Sequence, residues 1–275
     1  MPSKGGFALQ DRDIELIKRV YELRLAYIDH LARLTGRSYE KVRGRLAKLT
    51  AHGYLVHVTS RPQKLIYALG TDGPPVLVEQ GHASHEILNR RLREQELKPI
   101  FLNHSMMVVE AHTRLLMATQ KGPVQLDQWQ EGPALYDTAT TAAPGGLRTL
   151  HVRPDAHFVL KDTRLPEGRN RLHFFLEADR STESHARIQT KIEAYRRWFD
   201  QGGQTRKFNI RLFQVLVATM TLERAKQLAE AIHGTLPPAV RPYYLFTSLE
   251  KLSLDLLLPK PAVSPRPLQS ASRPA

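Results

Sequence analysis

The sequence predicts an α+β or α/β chain in two parts, a helical start followed by a larger mixed-sheet remainder. Three stretches of helical periodicity and two short strand-like stretches fill the first 70 or so residues, whereas strand-like and helical stretches alternate after about residue 103. A chain of 275 residues is also long enough for two domains that each bury a core. We therefore expect one boundary near residue 75 and a second ordered part over 101–258.

The composition favours a polyanionic partner. Lys and Arg number 40 against 27 Asp and Glu, a formal charge of +13, and nucleic acid is a better candidate for such a chain than an anionic membrane surface. The absence of cysteine excludes disulfides, thiolate zinc sites and cysteine nucleophiles. Because no apolar stretch approaches the length of a membrane span or a signal peptide, we expect a cytoplasmic protein that makes no membrane contact.

The first part has the element order of a DNA-binding fold. Helical stretches at residues 10–23, 26–36 and 38–53 each carry apolar residues at helical spacing, and Asp11 or Asp13 is placed to cap the first. The strand-like pieces "YLVHV" and "KLIYALG" follow, joined by the turn "TSRPQ". Three helices followed by a two-stranded ribbon are typical of a winged helix-turn-helix, which we expect over residues 8–75.

Basic residues concentrate on the third helix and the ribbon. Between Arg33 and Lys64 the acid Glu40 is accompanied by eight basic residues, and several of these lie on the helix side away from its apolar stripe. Such a helix can enter the major groove while the ribbon reaches phosphates. The candidate DNA contacts are Arg37, Lys41, Arg43, Arg45, Lys48, Arg61 and Lys64. The alternative is that these charges only solvate a helix face. The segment from "LTAHGYLVHV" to "LIYALGTDG" also resembles the corresponding part of bacterial winged-helix regulators.

The second part is predicted as a helix, three strands, a helix and a strand, followed by one more helix and strand. The stretch "GPALYDTATTAAPGGLRT", between the first two strands, is expected to be a loop. We expect a basic connecting helix within 76–100. The tail 259–275 is rich in proline and serine and is expected to be disordered.

Three acids are placed to meet at one end of this sheet. Asp155 lies early in the second strand, whereas Glu177 and Asp179 close the third and share a face because they are two residues apart. If the strands are neighbours, the carboxylates converge and suit Mg²⁺ or Mn²⁺, which would stabilise charge on a phosphate and activate water. The alternative is a structural ion network between these acids and nearby arginines, for which the candidates are Arg153, Arg180 and Arg187.

The pattern "RPD" followed by "FFLEAD" resembles the PD-(D/E)XK nuclease superfamily. The resemblance implies that Asp155 and Glu177 bind metal, but aspartate stands at 179 where the superfamily has lysine. In "QTKIEAY", Lys191 and Tyr195 are spaced similarly to the Q-x-x-x-Y of RecB-like members, which makes Lys191 a candidate replacement. The implied catalytic set is Asp155, Glu177, Asp179 and Lys191, with the three acids as metal ligands. Glu110, on the preceding helix, is a further candidate carboxylate, and Tyr195 is most simply a core residue.

The whole arrangement resembles the replication-relaxation family of plasmids and integrative elements, from residue 10 to about residue 250. The resemblance implies a DNA-binding protein in replication, DNA relaxation or mobilisation, with double-stranded DNA as partner and a homodimer or replication and mobilisation proteins as further candidates. Metal-dependent nicking is one version of this function, favoured by Asp155 and Glu177. A non-catalytic replication or transcription regulator with a degenerate nuclease-like domain is the other, favoured by Asp179.

Overall fold

The computed structural model describes residues 7–58, 65–82, 99–181 and 183–258. The candidate DNA contacts Arg61 and Lys64, most of the predicted connecting helix and the tail 259–275 therefore lie outside the described residues. Within the described ranges, no helix is both long enough and apolar enough to cross a membrane.

The helical start has the predicted order of three helices followed by two strands. It contains α1 (Asp11–Leu23), α2 (Ile28–Thr35), α3 (Tyr39–Ala51) and the antiparallel strands β1 (Leu55–His57) and β2 (Tyr67–Leu69). A short helix that was not predicted, α4 (Gly73–Glu79), follows them. The residue that caps α1 is Gln10, and the carboxylate of Asp13 accepts the backbone N–H of Gln10 at 2.9 Å. Leu16, Ile17 and Val20 of α1 pack into one core with the apolar stripes of α2 and α3.

The next helix, α5 (Pro99–Ala118), connects this helical core to the sheet. Met106 and Val109 belong to the core of the helical start, while Met107 and Ala111 pack on the sheet. Because these pairs lie on different sides of one helix, α5 serves both cores and holds them together.

The remainder is a five-stranded mixed sheet with helices on both faces. Its strands, in spatial order, are β3 (Val124–Glu131), β6 (Ala156–Asp162), β7 (Arg171–Asp179), β8 (Gln214–Thr219) and β9 (Tyr244–Ser248). The first three pair antiparallel, whereas β7, β8 and β9 are parallel. The helices α6 (His185–Asp200) and α7 (Gly203–Phe208) follow β7, α8 (Leu222–His233) follows β8, and the short α9 (Leu254–Leu257) follows β9.

Successive side chains of β7 point to opposite faces of the sheet and pack into two different hydrophobic cores, one on each face. Phe174 and Leu176 pack on the α5 side, whereas Phe175 packs with α6 and α8. On α6, Tyr195 and Trp198 are the large buried residues of the last two turns, whereas Phe199 is 40% exposed.

The prediction of a loop between the first two strands was wrong. This stretch contains β4 (Asp137–Ala143) and β5 (Gly146–Val152), which form a separate antiparallel hairpin turning at Gly145 and Gly146, both with positive φ. The inward residues Ala139 and Leu150 pack against α6. The sequence signal was weak because threonine and alanine fill most positions of β4, so apolar and polar residues alternate with little contrast.

Candidate functional site

The acidic end of β7 is buried under α6 and α8. Glu177 and Asp179 follow Phe175 on the same face, and both are almost fully buried. Glu177 accepts hydrogen bonds from Lys191 Nζ (2.9 Å, at Oε2) and from the Tyr195 hydroxyl (2.7 Å, at Oε1). Lys191 and Tyr195 are one turn apart on α6, so a single helix face supplies both donors.

Asp155 is held against β7 by its backbone and its side chain. It lies immediately before β6, and its N–H donates to the Leu176 carbonyl at 2.9 Å. Its Oδ2 accepts the Ala178 N–H at 2.7 Å, and its Oδ1 is 2.8 Å from Nε2 of His104 on α5. Asp155, Glu177 and Lys191 are therefore brought together as an acidic site, with His104 at its edge.

Asp179 has different partners. Its Oδ2 accepts a hydrogen bond from Arg224 Nε on α8 at 2.8 Å, and its Oδ1 accepts the Ser181 N–H at 2.9 Å. Arg224 also donates to the Glu183 carbonyl at 2.6 Å. The charge of the buried Asp179 carboxylate is thus compensated by a partly buried arginine of the same chain.

The acidic site contains two of the three predicted metal ligands. In the part of the chain that the structure describes, no three acidic or histidine side chains are grouped as they would be around a metal ion. Mg²⁺ in proteins is commonly held by one or two carboxylates, with water and substrate phosphate completing its shell. Each oxygen of Asp155 and Glu177 has a second lone pair, so these two residues fit such an ion and would be the ones to hold it.

Burial and close charges shift the acid–base properties of the acidic site. Burial raises the pKa of Glu177 to about 7, although the charge of Lys191 acts in the opposite direction. Burial disfavours the charged form of Lys191, but Glu177 and Asp155 outweigh this effect and raise the pKa of the ammonium group above its usual value. The hydrogen bond to Asp155 raises the pKa of His104.

The predicted ion network has other members than expected. Glu177 and Asp179 pair with Lys191 and Arg224, while Arg187 pairs with Glu183 at 3.3 Å. Glu110, the further candidate carboxylate, faces α2. Its ion pairs are with His30, Arg33 and Arg114. Its role is therefore to connect α2 to α5.

The basic surface of α3 is partly open and partly engaged. Lys41, Arg43 and Lys48 are exposed, and a side chain added at Gly44 would meet nothing within 4 Å. Arg43 lies 3.2 Å from the exposed Glu40. We call these four positions, 41, 43, 44 and 48, the α3 surface.

Two other predicted DNA contacts have internal partners. Arg45 donates from Nε to the buried Asp13 at 2.7 Å, and its guanidinium lies 5.3 Å from the centre of the Phe7 ring. Arg37 pairs with Glu15 at 2.8 Å. Both side chains therefore help to hold α1 against α3 and its preceding turn.

Sequence reasoning missed three contributors to the acidic end of the sheet. His104 and Arg224 stand on helices distant in sequence from β7, and no spacing rule connects them to it. Tyr195 had been interpreted as a core residue, and it is both buried and a donor to Glu177. Its spacing of four from Lys191 was the available signal for a shared face.

Fold and charge together define a class of protein in which a basic helical start is joined through α5 to a mixed sheet with a buried acidic end. Residues 17–212 match the replication-relaxation family, and the chain belongs to that family. The predicted family is therefore confirmed.

The other comparisons add little. A solved structure concerning the regulation of DNA binding of Bordetella bronchiseptica BpsR by 6-hydroxynicotinic acid is similar to 40% of this chain and 78% of that chain, at 14% identity. Its TM-score is 0.25, so this likeness carries no argument. No curated protein matches the chain.

Proposed function

We propose that the protein is a DNA-binding protein of a plasmid or integrative element that acts in replication, DNA relaxation or mobilisation. The observation that carries the proposal is the α3 surface, in a member of the replication-relaxation family. Exposed lysines on one helix face can neutralise phosphates and release counterions, which supplies most of the free energy of non-specific DNA binding.

The local structure around α3 supports contact with duplex DNA. Three helices followed by β1 and β2 fit a winged helix-turn-helix over residues 8–75, in which α3 would enter the major groove. Gly44 and Ala47 are exposed positions of α3 between Lys41 and Lys48 that carry small side chains or none. The backbone of α3 can therefore approach a groove closely.

Duplex binding is tested by removing the two exposed lysines. The Lys41→Ala, Lys48→Ala double variant should bind duplex DNA more weakly, and the slope of log affinity against log salt should become shallower by about 2 because two phosphate contacts are lost. Fluorescence anisotropy over a salt series measures both quantities. The control is Lys18→Ala on α1, whose ammonium lies 3.9 Å from Glu22. An unchanged affinity and slope in the double variant would remove α3 from the proposal.

A second candidate function is metal-dependent nicking of DNA by the acidic site. The observation favouring it is the close grouping of Asp155, Glu177 and Lys191, in which Lys191 lies 2.9 Å from Glu177 although it comes from a helix and not from position 179. Residues 101–258 would then be a nuclease-like domain of the PD-(D/E)XK type.

In this second function Asp155 and Glu177 would hold Mg²⁺ or Mn²⁺, which supplies charge stabilisation at a phosphate and a more acidic water. Tyr195 and Lys191 orient the Glu177 carboxylate through hydrogen bonds. The backbone N–H of Ala178 and the His104 ring orient Asp155. A fixed orientation of both carboxylates lowers the reorganisation needed when substrate binds.

Nicking is tested on supercoiled DNA that carries the origin of the protein's own element, with Mg²⁺ or Mn²⁺ added. We expect nicking by the parent and its loss in Asp155→Asn, which keeps the size of the side chain but not its charge. Asp127→Asn is the control, because Asp127 pairs with Arg171 at the opposite end of β7. Duplex binding without nicking by the parent would reject this second function and favour the non-catalytic regulator.

A further inference from the structure

An exposed aromatic ring stands beside two cations where the β4–β5 hairpin joins the sheet. Tyr136 is 43% exposed, and the guanidinium carbon of Arg153 lies 5.7 Å from the centre of its ring. Lys207 on α7 donates to the Tyr136 carbonyl at 2.7 Å. We call Tyr136, Arg153 and Lys207 the tyrosine platform.

The fold holds this platform in place through its neighbours. Tyr136 immediately precedes β4 and Arg153 immediately follows β5, and the adjoining residues Asp137 and Val152 are directly paired across the hairpin. Asp137 also accepts a hydrogen bond from the Trp198 indole at 2.8 Å, and Leu135 and Val152 are buried. These flanking residues attach the hairpin to the rest of the fold. The exposed ring of Tyr136 is therefore not needed for that purpose.

The platform is close to the acidic site along the chain. Arg153 precedes Asp155 by two residues, a span of at most about 7 Å between their Cα atoms. Pro154, between them, has a restricted backbone and is itself buried. A polymer lying on Tyr136 and Arg153 would therefore be led towards Asp155.

The chemistry of the platform selects a particular kind of polymer. An exposed tyrosine beside cations stacks on an unpaired base while the cations bind the adjoining phosphate. In a duplex each base face is already stacked on its neighbours, so an exposed tyrosine ring has no free base face on which to stack. The solvent-facing side of the hairpin extends from the tyrosine platform. It carries the exposed residues Thr138, Thr149 and His151, which can donate hydrogen bonds to phosphate or sugar oxygens.

The geometry points to a binding site for single-stranded DNA on the tyrosine platform, next to the acidic site. This inference rests on the proposed function only for the identity of the polymer as DNA. It adds that the sheet part of the chain takes an unpaired strand, whereas the α3 surface takes the duplex.

The experiment measures binding of a fluorescein-labelled oligo-dT of about 20 nucleotides, which covers the usual site size and forms no duplex, to the full chain. Tyr136→Ala should weaken binding by about 5- to 100-fold because one stacked base is lost, whereas Tyr136→Phe, which keeps the ring, should stay within about 2-fold. Arg153→Gln should weaken binding and make its salt dependence shallower. The matched control is Tyr243→Ala. Tyr243 is similarly exposed, at 38%, but it immediately precedes β9, at the end of the sheet opposite to Asp155.

The outcomes separate this inference from the proposed function. Equal binding of oligo-dT by Tyr136→Ala and Tyr243→Ala, or no binding by the parent, would overturn the platform even if the α3 double variant loses duplex affinity. Loss of oligo-dT binding in Tyr136→Ala and Arg153→Gln, with duplex affinity retained, would support it. Circular dichroism identifies any misfolded variant. If Tyr136→Ala fails to fold, Arg153→Gln decides the question, and unchanged oligo-dT affinity and salt dependence in that variant would overturn the platform.

Discussion

The α3 surface and the acidic end of β7 use charged residues in opposite ways. On α3, Lys41 and Lys48 are exposed to solvent. At the end of β7, Glu177 and Asp179 are buried, and each has a cation within 2.9 Å from a different helix. An exposed charge is available to a partner at little cost, whereas a buried charge needs a compensating charge. The first region is therefore suited to binding, and much of the second is committed to holding the protein together.

The largest effect is expected from breaking the ion pair between Arg224 and Asp179. Arg224→Ala should lower the free energy of unfolding by about 3–5 kcal/mol, because the carboxylate of Asp179 would remain buried without its cation. Urea denaturation measures this loss. Arg43→Ala on the α3 surface is the matched control and should change stability by less than about 0.5 kcal/mol, since its pair with Glu40 is exposed to solvent. Similar losses in both variants would contradict the distinction between the two regions.

A smaller effect is expected from removing one hydrogen bond at Glu177. Tyr195→Phe keeps the buried ring but removes the donor to Oε1. Because burial raises the pKa of Glu177 to about 7, the loss is measured about one pH unit or more above that value, where the acceptor is a charged carboxylate and the expected cost is about 1.5–3 kcal/mol. Tyr39→Phe on the exposed side of α3 is the control and should be nearly neutral. If Tyr195→Phe were also neutral, the Glu177 carboxylate would not depend on this hydrogen bond.

The smallest effect, of opposite sign, is expected on α3. Gly44→Ala should raise the free energy of unfolding by about 0.5–1 kcal/mol, because glycine is a poor helix residue and the added methyl group has open space. The same variant should bind duplex DNA more weakly if the α3 backbone approaches the groove. Stability and anisotropy measured on one preparation test both statements. A more stable variant with unchanged affinity would show that close approach at Gly44 is not used.

Local patterns in the sequence predicted most of the elements. Helical spacing located α1 to α3, and the apolar runs located β6, β7 and β8, because each of these elements buries a continuous face. The β4–β5 hairpin was missed, since its core contribution is limited to small or isolated residues such as Ala139 and Leu150. An element can be predicted from its sequence where burial of one face produces a strong contrast between apolar and polar positions.

The candidate site was predictable only in part. The spacing of Glu177 and Asp179 correctly indicated a common face. Lys191 donates a hydrogen bond to Glu177, while its role in a nuclease-like site stays a prediction. The partner of Asp179 was not predictable, because Arg224 is 45 residues away in sequence and the nearer arginines were equally plausible. Arg45 was predicted to face DNA, but Asp13, 32 residues away, engages it.

From its residues alone, the chain is basic, lacks cysteine, begins with helices, continues as a mixed sheet and places two acids on one face at a strand end. These properties depend on composition and on periods of two or 3.6 residues, which are local. Which acid has which cation, and which arginines stay exposed, depends on contacts between helices and strands far apart in sequence. Those contacts supply the opposite charges that offset the free-energy cost of burying an acid. Only the tertiary structure therefore decides that the acids of the acidic site are paired internally while the lysines of the α3 surface stay exposed.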